Sequence, residues 1–369
     1  MNILVITPDY PDRYKVHYPF VKQLVDEFAR QGHKCTVIAP YSITKNKRFY
    51  PAKEYDGEVM VYRPNHLSFS NFKIGKIKLS DYFRRKAIKR ATKWLSSKPD
   101  LVYCHFWGCA IEAYPYTKAN NIPLYVATGE SSISAFNNTR EITSEMCNYI
   151  KGVICVSSKN KEESISLGLT TSDKCLVKPN AVNSELFRKL DKFGCRKKLG
   201  LPQDAFIISF VGAFIERKGV KRVADAIKMI EGAPVYSCFI GRGAQDPDCE
   251  NILYKGGALH EQIPEYLNAS DVFVLPTLAE GCCNAIVEAM SCGLPIISSN
   301  LPFNWDVLDD SNSIMIDPND VGAIANAMTK LRDDVVLRDR MAEASLKKAT
   351  SLTIDKRAND IIIFIESSL

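Results

Sequence analysis

Two carboxylates, Glu280 and Glu288, stand eight positions apart in the stretch AEGCCNAIVEAMSCGLPIISS, residues 279–299. Between them lie Gly281, Cys282, Cys283 and Asn284, followed by apolar residues. The run VFVLPT ahead of them reads as a buried strand, NAIVEAMSC as a short helix stopped by Gly293, and LPIISS as the next strand. Glu280 then lies in a strand-to-helix turn and Glu288 in the helix body. The first N–H groups of a helix are unpaired and carry the positive end of its dipole. Gly281 lets a ligand approach the backbone, and Asn284 suits the N-cap position. Such a turn suits an anion or a hydroxyl-rich group, with the carboxylates accepting from hydroxyls. The alternative is a capped helix with two solvated acids, which for either glutamate alone is the commoner case.

A second cluster lies in FVGAFIERKGV, residues 210–220, where Arg217 and Lys218 stand just ahead of Gly219 and a predicted helix. Two cations at a strand-to-helix turn can neutralise a diphosphate, the guanidinium by forked hydrogen bonds and the ammonium as a point charge. A solvated basic loop is the plainer reading. His105 ends the apolar run DLVYCH. It suits either orienting a ligand or filling a satisfied core position. GRGAQD lacks the third glycine of a dinucleotide fingerprint, and the Asp-x-Asp at 246–248 reads as a polar surface loop.

Residues 73–98 hold ten lysines and arginines against one acid, Asp81, with Tyr82, Phe83, Ile88, Ala91, Trp94 and Leu95 among them. That pattern suits a peripheral contact on an anionic membrane, or equally a helix that packs its apolar face on the core. Nucleic acid is not expected, because no nucleic-acid module is present.

The elements that must position these groups alternate along the whole chain. Strand-like runs NILVITP, HKCTVIAP, DGEVMVYRP, PDLVYCHF, IPLYVATG and KGVICVSS are parted by helical patterns such as PFVKQLVDEFARQG. A second alternation runs from DAFIISFVGA through PVYSCFIG, NILYKG and DVFVLPT to NSIMIDPND, and two helical patterns close the chain. This predicts two α/β units joined near residue 180, each with a parallel sheet, and a cleft between them. With 369 residues, 46% of them hydrophobic and 24% charged, the composition is that of an ordinary soluble protein. No apolar run reaches the roughly 18 residues of a membrane span. The start, MNILVITP, lacks a basic n-region, so a cytoplasmic protein is expected. The twelve cysteines are scattered without a C-x-x-C pair and read as buried thiols, not as disulfides or a zinc site.

Taken together, these segments resemble the family 4 retaining glycosyltransferases, which have the GT-B fold of two Rossmann-like domains with parallel sheets facing a central cleft. DVFVLPTLAEGCCNAIVEAMSCGLPIISS is similar to that family's segment with two glutamates eight apart and EAM-x-x-G-x-P. VKPNAVNSELF, FVGAFIERKG, YKGGALHEQIPEYLNASDVFVLP and IDPND follow in the family's order, so the resemblance spans essentially the whole chain. The closest flavour is the branch that builds bacterial surface polysaccharides of the capsular, colanic or teichuronic acid type. It implies an N-terminal acceptor domain over 1–180, with a C-terminal helix near 355–369 packing back on it, and a nucleotide-sugar domain over 181–354.

The resemblance also implies roles. Glu288 binds ribose hydroxyls, and Glu280 holds the transferred sugar with the N–H groups of Cys282, Cys283 and Asn284. Arg217 and Lys218 neutralise the leaving diphosphate, Gly257, Ala258 and Leu259 contact the base, and His105 orients sugar and acceptor. No metal and no cofactor are implied. The partners are a UDP- or GDP-sugar and a glycan or lipid-linked glycan acceptor. There are departures from the family pattern. Ala213 stands where the family often has arginine, the first loop DYPDRYKVHYPF has no glycine, and Thr128-Gly129 replaces a His-Gly pair, leaving Glu130 as the acceptor-side candidate. A nucleotide-sugar epimerase of the same fold and a non-catalytic sugar-nucleotide-binding module are the rival readings.

Overall fold

The computed structural model describes residues 1–12, 18–44, 50–70, 72–75, 77–133 and 142–369. The chain divides into two compact units. The first comprises Met1–Val156, Asn160–Lys178 and Arg357–Leu369, and the second Ser157–Lys159 and Pro179–Lys356.

The first unit holds strands β1 (Asn2–Ile6), β2 (Lys34–Ile38), β3 (Tyr41–Ser42), β4 (Lys53–Asp56), β5 (Val59–Tyr62), β6 (Asn65–His66), β7 (Lys73–Ile74), β8 (Ile77–Lys78), β9 (Leu101–His105), β10 (Leu124–Thr128), β11 (Gly152–Cys155) and β12 (Cys175–Val177). Its helices are α1 (Pro19–Arg30), α2 (Leu79–Thr92), α3 (Trp107–Asn120), α4 (Ser144–Tyr149) and α5 (Ser158–Ser166). Eight strands form one sheet in the order β12-β11-β10-β9-β1-β2-β5-β4. All its pairs are parallel except the edge pair β4–β5. The central strands are buried on both faces: Ile3, Leu4, Val5 and Ile6 are fully enclosed, as are Leu101 to Cys104. Each such side chain contributes roughly 1.5–3 kcal/mol by leaving water. Helix α1 shows how the covering layer is specified. Pro19 pre-sets its first turn, and Val21, Leu24, Val25 and Phe28 line the buried stripe.

The second unit holds α6 (Lys192–Leu199), β13 (Phe206–Val211), α7 (Val220–Lys228), β14 (Val235–Ile240), β15 (Ile252–Gly256), α8 (Ile263–Ala269), β16 (Val272–Leu275), α9 (Asn284–Ser291), β17 (Ile296–Ser299) and β18 (Ser313–Ile316). After them come α10 (Val321–Asp333), α11 (Val335–Ala349) and α12 (Ile354–Ser368). Three helices therefore close the chain where the periodicity suggests two. Asp334 caps α11 by accepting from the Leu337 N–H and so breaks what reads as one continuous pattern. Residues of α12 from Arg357 onward belong to the first unit, where the Tyr125 hydroxyl donates to the Ile365 carbonyl at 3.2 Å.

The second sheet is wholly parallel, in the order β15-β14-β13-β16-β17-β18. Chain order reverses between β13 and β16, so the loops leaving their carboxyl ends turn to opposite sides and open a crevice there. A buried carboxylate fixes the base of that pair. Asp271, just before β16, accepts from Arg196 Nη2 at 2.8 Å, Lys192 Nζ at 2.6 Å and the Ile207 N–H at 2.8 Å. All twelve cysteines are free thiols. Among the described residues no helix is long and apolar enough to cross a membrane.

Candidate active site

At the switch point of the second sheet, the two sequence clusters meet. The loop after β13 carries Arg217 and Lys218, and the loop after β16 carries Glu280. Lys218 Nζ lies 2.6 Å and Arg217 Nη1 2.7 Å from Glu280 Oε1. Thr277 Oγ1 donates to the same oxygen at 2.8 Å. Among the described residues these donors converge on Oε1 and leave Oε2 for another donor. Arg217 also donates to the Ala279 carbonyl, and the Leu278 N–H returns a bond to the Arg217 carbonyl at 2.8 Å. Gly219 makes this approach possible. Its φ is +80°, and a Cβ there would meet the Pro276 carbonyl oxygen at 2.7 Å.

Two cations against one carboxylate leave the cluster net positive. Burial works against the Lys218 charge, while the Cys283 sulfur and Glu280 work for it, and the net pKa lies above the usual lysine value. Burial also pushes the Cys283 thiol up.

Cys282 and Cys283 are buried in the turn that starts α9. Asn180 Nδ2 donates to the Cys282 carbonyl at 2.9 Å and ties down the turn's backbone. The expected N-cap is displaced by one residue. Cys283 is the cap and makes no side-chain capping bond, while Asn284 is the first helical residue. The Asn284 Oδ1 is buried without a hydrogen-bond partner among the described residues. An uncapped helix start leaves its N–H groups for an incoming anion.

Glu288 projects from the body of α9, and its Oε1 lies 3.1 Å from His260 Nε2. Burial lowers the His260 pKa, but the hydrogen bond and charge of Glu288 outweigh it and the net shift is upward. His260 directly follows the loop Gly257–Leu259, so one contact joins that loop to α9. Arg242 lies across this loop: a Cβ on Gly257 would meet its Nε at 2.6 Å. Sequence reasoning passes over His260, Thr277 and Arg242. The only local signal is their adjacency, His260 to Leu259 and Arg242 to the end of β14.

The first-unit candidates behave differently. His105 ends β9, is 4% exposed, and has an Nε2 with no hydrogen-bond partner among the described residues. Burial, joined by the Arg357 charge, pushes its pKa down to about 3, so it is a neutral imidazole near pH 7. The next residue, Phe106, holds φ +73°, a costly conformation for a bulky side chain that turns the chain sharply into α3. Glu130 is occupied by its own fold. Its Oε1 accepts from the Trp107 N–H at 3.0 Å, and its Oε2 from Thr128 Oγ1 at 2.7 Å and the Gly129 N–H at 2.9 Å. It supplies the start of α3 with the cap that Phe106 cannot. Part of the glycine-free first loop, residues 13–17, lies outside the described residues. Asp246 of the Asp-x-Asp triplet pairs with Lys255 at 2.9 Å on the surface. Among the described residues no three His, Cys, Asp or Glu side chains gather as a metal site would require.

Residues 20–186 match the family described as Glycosyltransferase Family 4, and residues 191–348 match Glycosyl transferases group 1. An Escherichia coli enzyme, UDP-Gal:alpha-D-GlcNAc-diphosphoundecaprenol alpha-1,3-galactosyltransferase, is 30% identical over 291 residues, covering 72% of this chain and 74% of its own. The chain belongs to the family 4 glycosyltransferases. The same kinship extends along nearly its full length: the putative teichuronic acid biosynthesis glycosyltransferase TuaC of Bacillus subtilis is 26% identical, with 93% of this chain and 92% of TuaC covered. In fold, this glycosyltransferase resembles sucrose-phosphate synthase from Thermosynechococcus elongatus, with a TM-score of 0.81, 17% identity and coverage of 100% and 99% of the two chains. It also resembles Anabaena HepE in complex with UDP, with a TM-score of 0.78, 16% identity and full coverage of both chains. The glycosyltransferase thus has the GT-B architecture of two Rossmann-like domains.

Proposed function

We propose that this glycosyltransferase moves a hexose from a UDP- or GDP-sugar to a glycan or lipid-linked glycan acceptor in surface polysaccharide synthesis. It does so with retention at the anomeric carbon, as a peripheral protein at the cytoplasmic face of the membrane. The observation that carries this reading is the convergence of Arg217, Lys218 and Glu280 at the switch point of the second sheet. Transfer releases a nucleoside diphosphate, and its developing charge needs fixed positive groups already in place. Arg217, Lys218 and the start of α9 supply them, which makes the reaction independent of a metal. Glu280 Oε2 accepts from a hydroxyl of the sugar, and Glu288, steadied by His260, accepts from the ribose. The loop Gly257–Leu259 meets the base. Neutral His105 donates or accepts at sugar or acceptor, but does not serve as an acid near pH 7. A carboxylate nucleophile is not required if the acceptor attacks on the face that the diphosphate leaves, passing its proton to a donor phosphate oxygen.

The names of the relatives support the choice of donor and acceptor: the Escherichia coli relative is named for UDP-Gal and a diphosphoundecaprenol-linked acceptor, and TuaC for teichuronic acid. Thermal stabilisation by a panel of UDP- and GDP-sugars tests the proposal. Stabilisation by one nucleotide series is expected, and stabilisation by neither contradicts it.

A further inference from the structure

The helix of the basic segment 73–98 packs its apolar face on the core, one of the two readings its sequence allows. The apolar stripe of α2 faces the first unit's core: Ala87 is buried, Ile88 and Ala91 belong to its hydrophobic cluster, and Trp94 and Leu95 pack against that cluster. Arg84 also turns inward, 3.3 Å from Glu112. An amphipathic helix lying on a membrane by that stripe is therefore excluded.

What remains outside is a ribbon and the start of the helix. Strands β7 and β8 pair antiparallel and lead directly into α2, with Lys76 between them outside the described residues. Phe72 and Ile74 are 60% and 61% exposed, and Phe69 and Tyr82 are close to 40%. The rings of Phe69, Phe83 and Tyr82 follow one another at 5.8 and 5.4 Å between centroids. Lys86 Nζ lies 4.5 Å over the Tyr82 ring, and Lys73, Lys86, Lys89, Arg90 and Lys93 are exposed. Asp81 is the only acid in residues 73–98. Large apolar side chains are seldom left in water beside one another without a use. Here cations flank them, which is the arrangement that places rings and aliphatic tips among lipid headgroups and ammonium groups at the level of the phosphates. Helix α2 precedes β9 and crosses back over a parallel sheet, so its start lies toward the carboxyl ends of the strands, the end where His105 stands.

We propose that the β7–β8 ribbon and the first turns of α2 dock on an anionic bilayer, with Phe72 and Ile74 inserted among the headgroups. This names the surface behind the peripheral placement proposed above. It rests on that placement and not on the choice of donor, so nucleotide binding and membrane binding fail separately.

Full-length protein is sedimented with vesicles of phosphatidylcholine alone or mixed with phosphatidylglycerol, at rising salt. The protein is expected to sediment with the mixed vesicles, to stay in solution with phosphatidylcholine, and to be released by salt. Phe72→Ser with Ile74→Ser lowers partitioning about tenfold or more, because two inserted apolar tips are lost. Lys86→Gln with Lys89→Gln lowers it roughly fivefold for each charge. Unchanged thermal unfolding and unchanged nucleotide binding show that the variants are folded. If the serine pair unfolds, the glutamine pair carries the test. Equal binding to both vesicle types, no binding to either, variants that bind like the parent, or a dimer that the serine pair dissociates each overturns the proposal.

Discussion

Lys218 Nζ and Glu280 Oε1 are 2.6 Å apart, although they come from loops that follow different strands of the second sheet. The contact has a cost and a use. It neutralises a lysine that is mostly buried, and it occupies one oxygen of the carboxylate proposed to take a sugar hydroxyl. A diphosphate arriving at this point competes with Glu280 for both cations.

Glu280→Gln removes that competition but also removes the charged acceptor. Transfer is expected to fall by about 100-fold, of the order seen when one preorganised electrostatic contact is lost. Binding of the nucleoside diphosphate without its sugar is expected to hold or to tighten. Steady-state rates beside calorimetric affinities for UDP and GDP check both halves, and a parallel loss of transfer and of nucleotide binding counts against the assignment.

His260→Ala is expected to raise the KM for the nucleotide sugar several-fold with little change in kcat, because the residue acts through Glu288. His260→Gln, which keeps a donor, recovers part of the loss. The pair also carries a pH signature. The folded pKa of His260 lies above its ordinary value of 6.5, so the stability it contributes is fully present below 6.5 and is lost as pH rises through the folded value. The stability gap between parent and His260→Gln, measured by urea unfolding, shrinks as pH rises through that range.

His105 predicts the opposite trend in acid. The unfolded chain takes up its proton near 6.5 and the folded chain not until about 3, so stability falls as pH drops between those values. The loss approaches roughly 4 kcal/mol at the acid end. His105→Asn is expected to flatten that slope in unfolding curves recorded across the interval, while transfer at neutral pH falls.

Asp271→Ala leaves Arg196, 3% exposed, without its counter-charge. Stranding a buried charge costs about 3–5 kcal/mol. Asp246→Ala breaks only the surface pair with Lys255 and is expected to cost about 1 kcal/mol or less. Thermal unfolding of the two variants side by side measures the difference.

What was legible in the sequence was whatever a local pattern encodes. The strand VFVL, the turn after it and the helix around Glu288 follow from apolar runs and punctuation by glycine. The parallel sheets follow from the alternation. Elements without a strong pattern did not show. Helix α5, SKNKEESIS, buries only Asn160 and Ser164 and has no apolar stripe to read. Strand β4, KEYD, is an edge strand with exposed residues and runs antiparallel to its neighbour. Roles set by distant contacts were also hidden. The bond from the Trp107 N–H to Glu130 has no local signal, and His260 looks like a loop residue until α9 brings Glu288 against it. The cap at Asn284 was misplaced by one residue because a buried cysteine occupies the position that usually favours a polar side chain.

The central claim is that a nucleoside diphosphate binds where Lys218, Arg217 and the start of α9 converge. Calorimetric titration of UDP and GDP into the parent protein and into Lys218→Ala tests it most directly. The account predicts that one of the two nucleotides binds the parent and that its affinity falls about tenfold or more in Lys218→Ala, as losing a charge-assisted contact to phosphate requires. Folded parent protein that binds neither nucleotide, or a Lys218→Ala variant that binds as tightly as the parent, would contradict it.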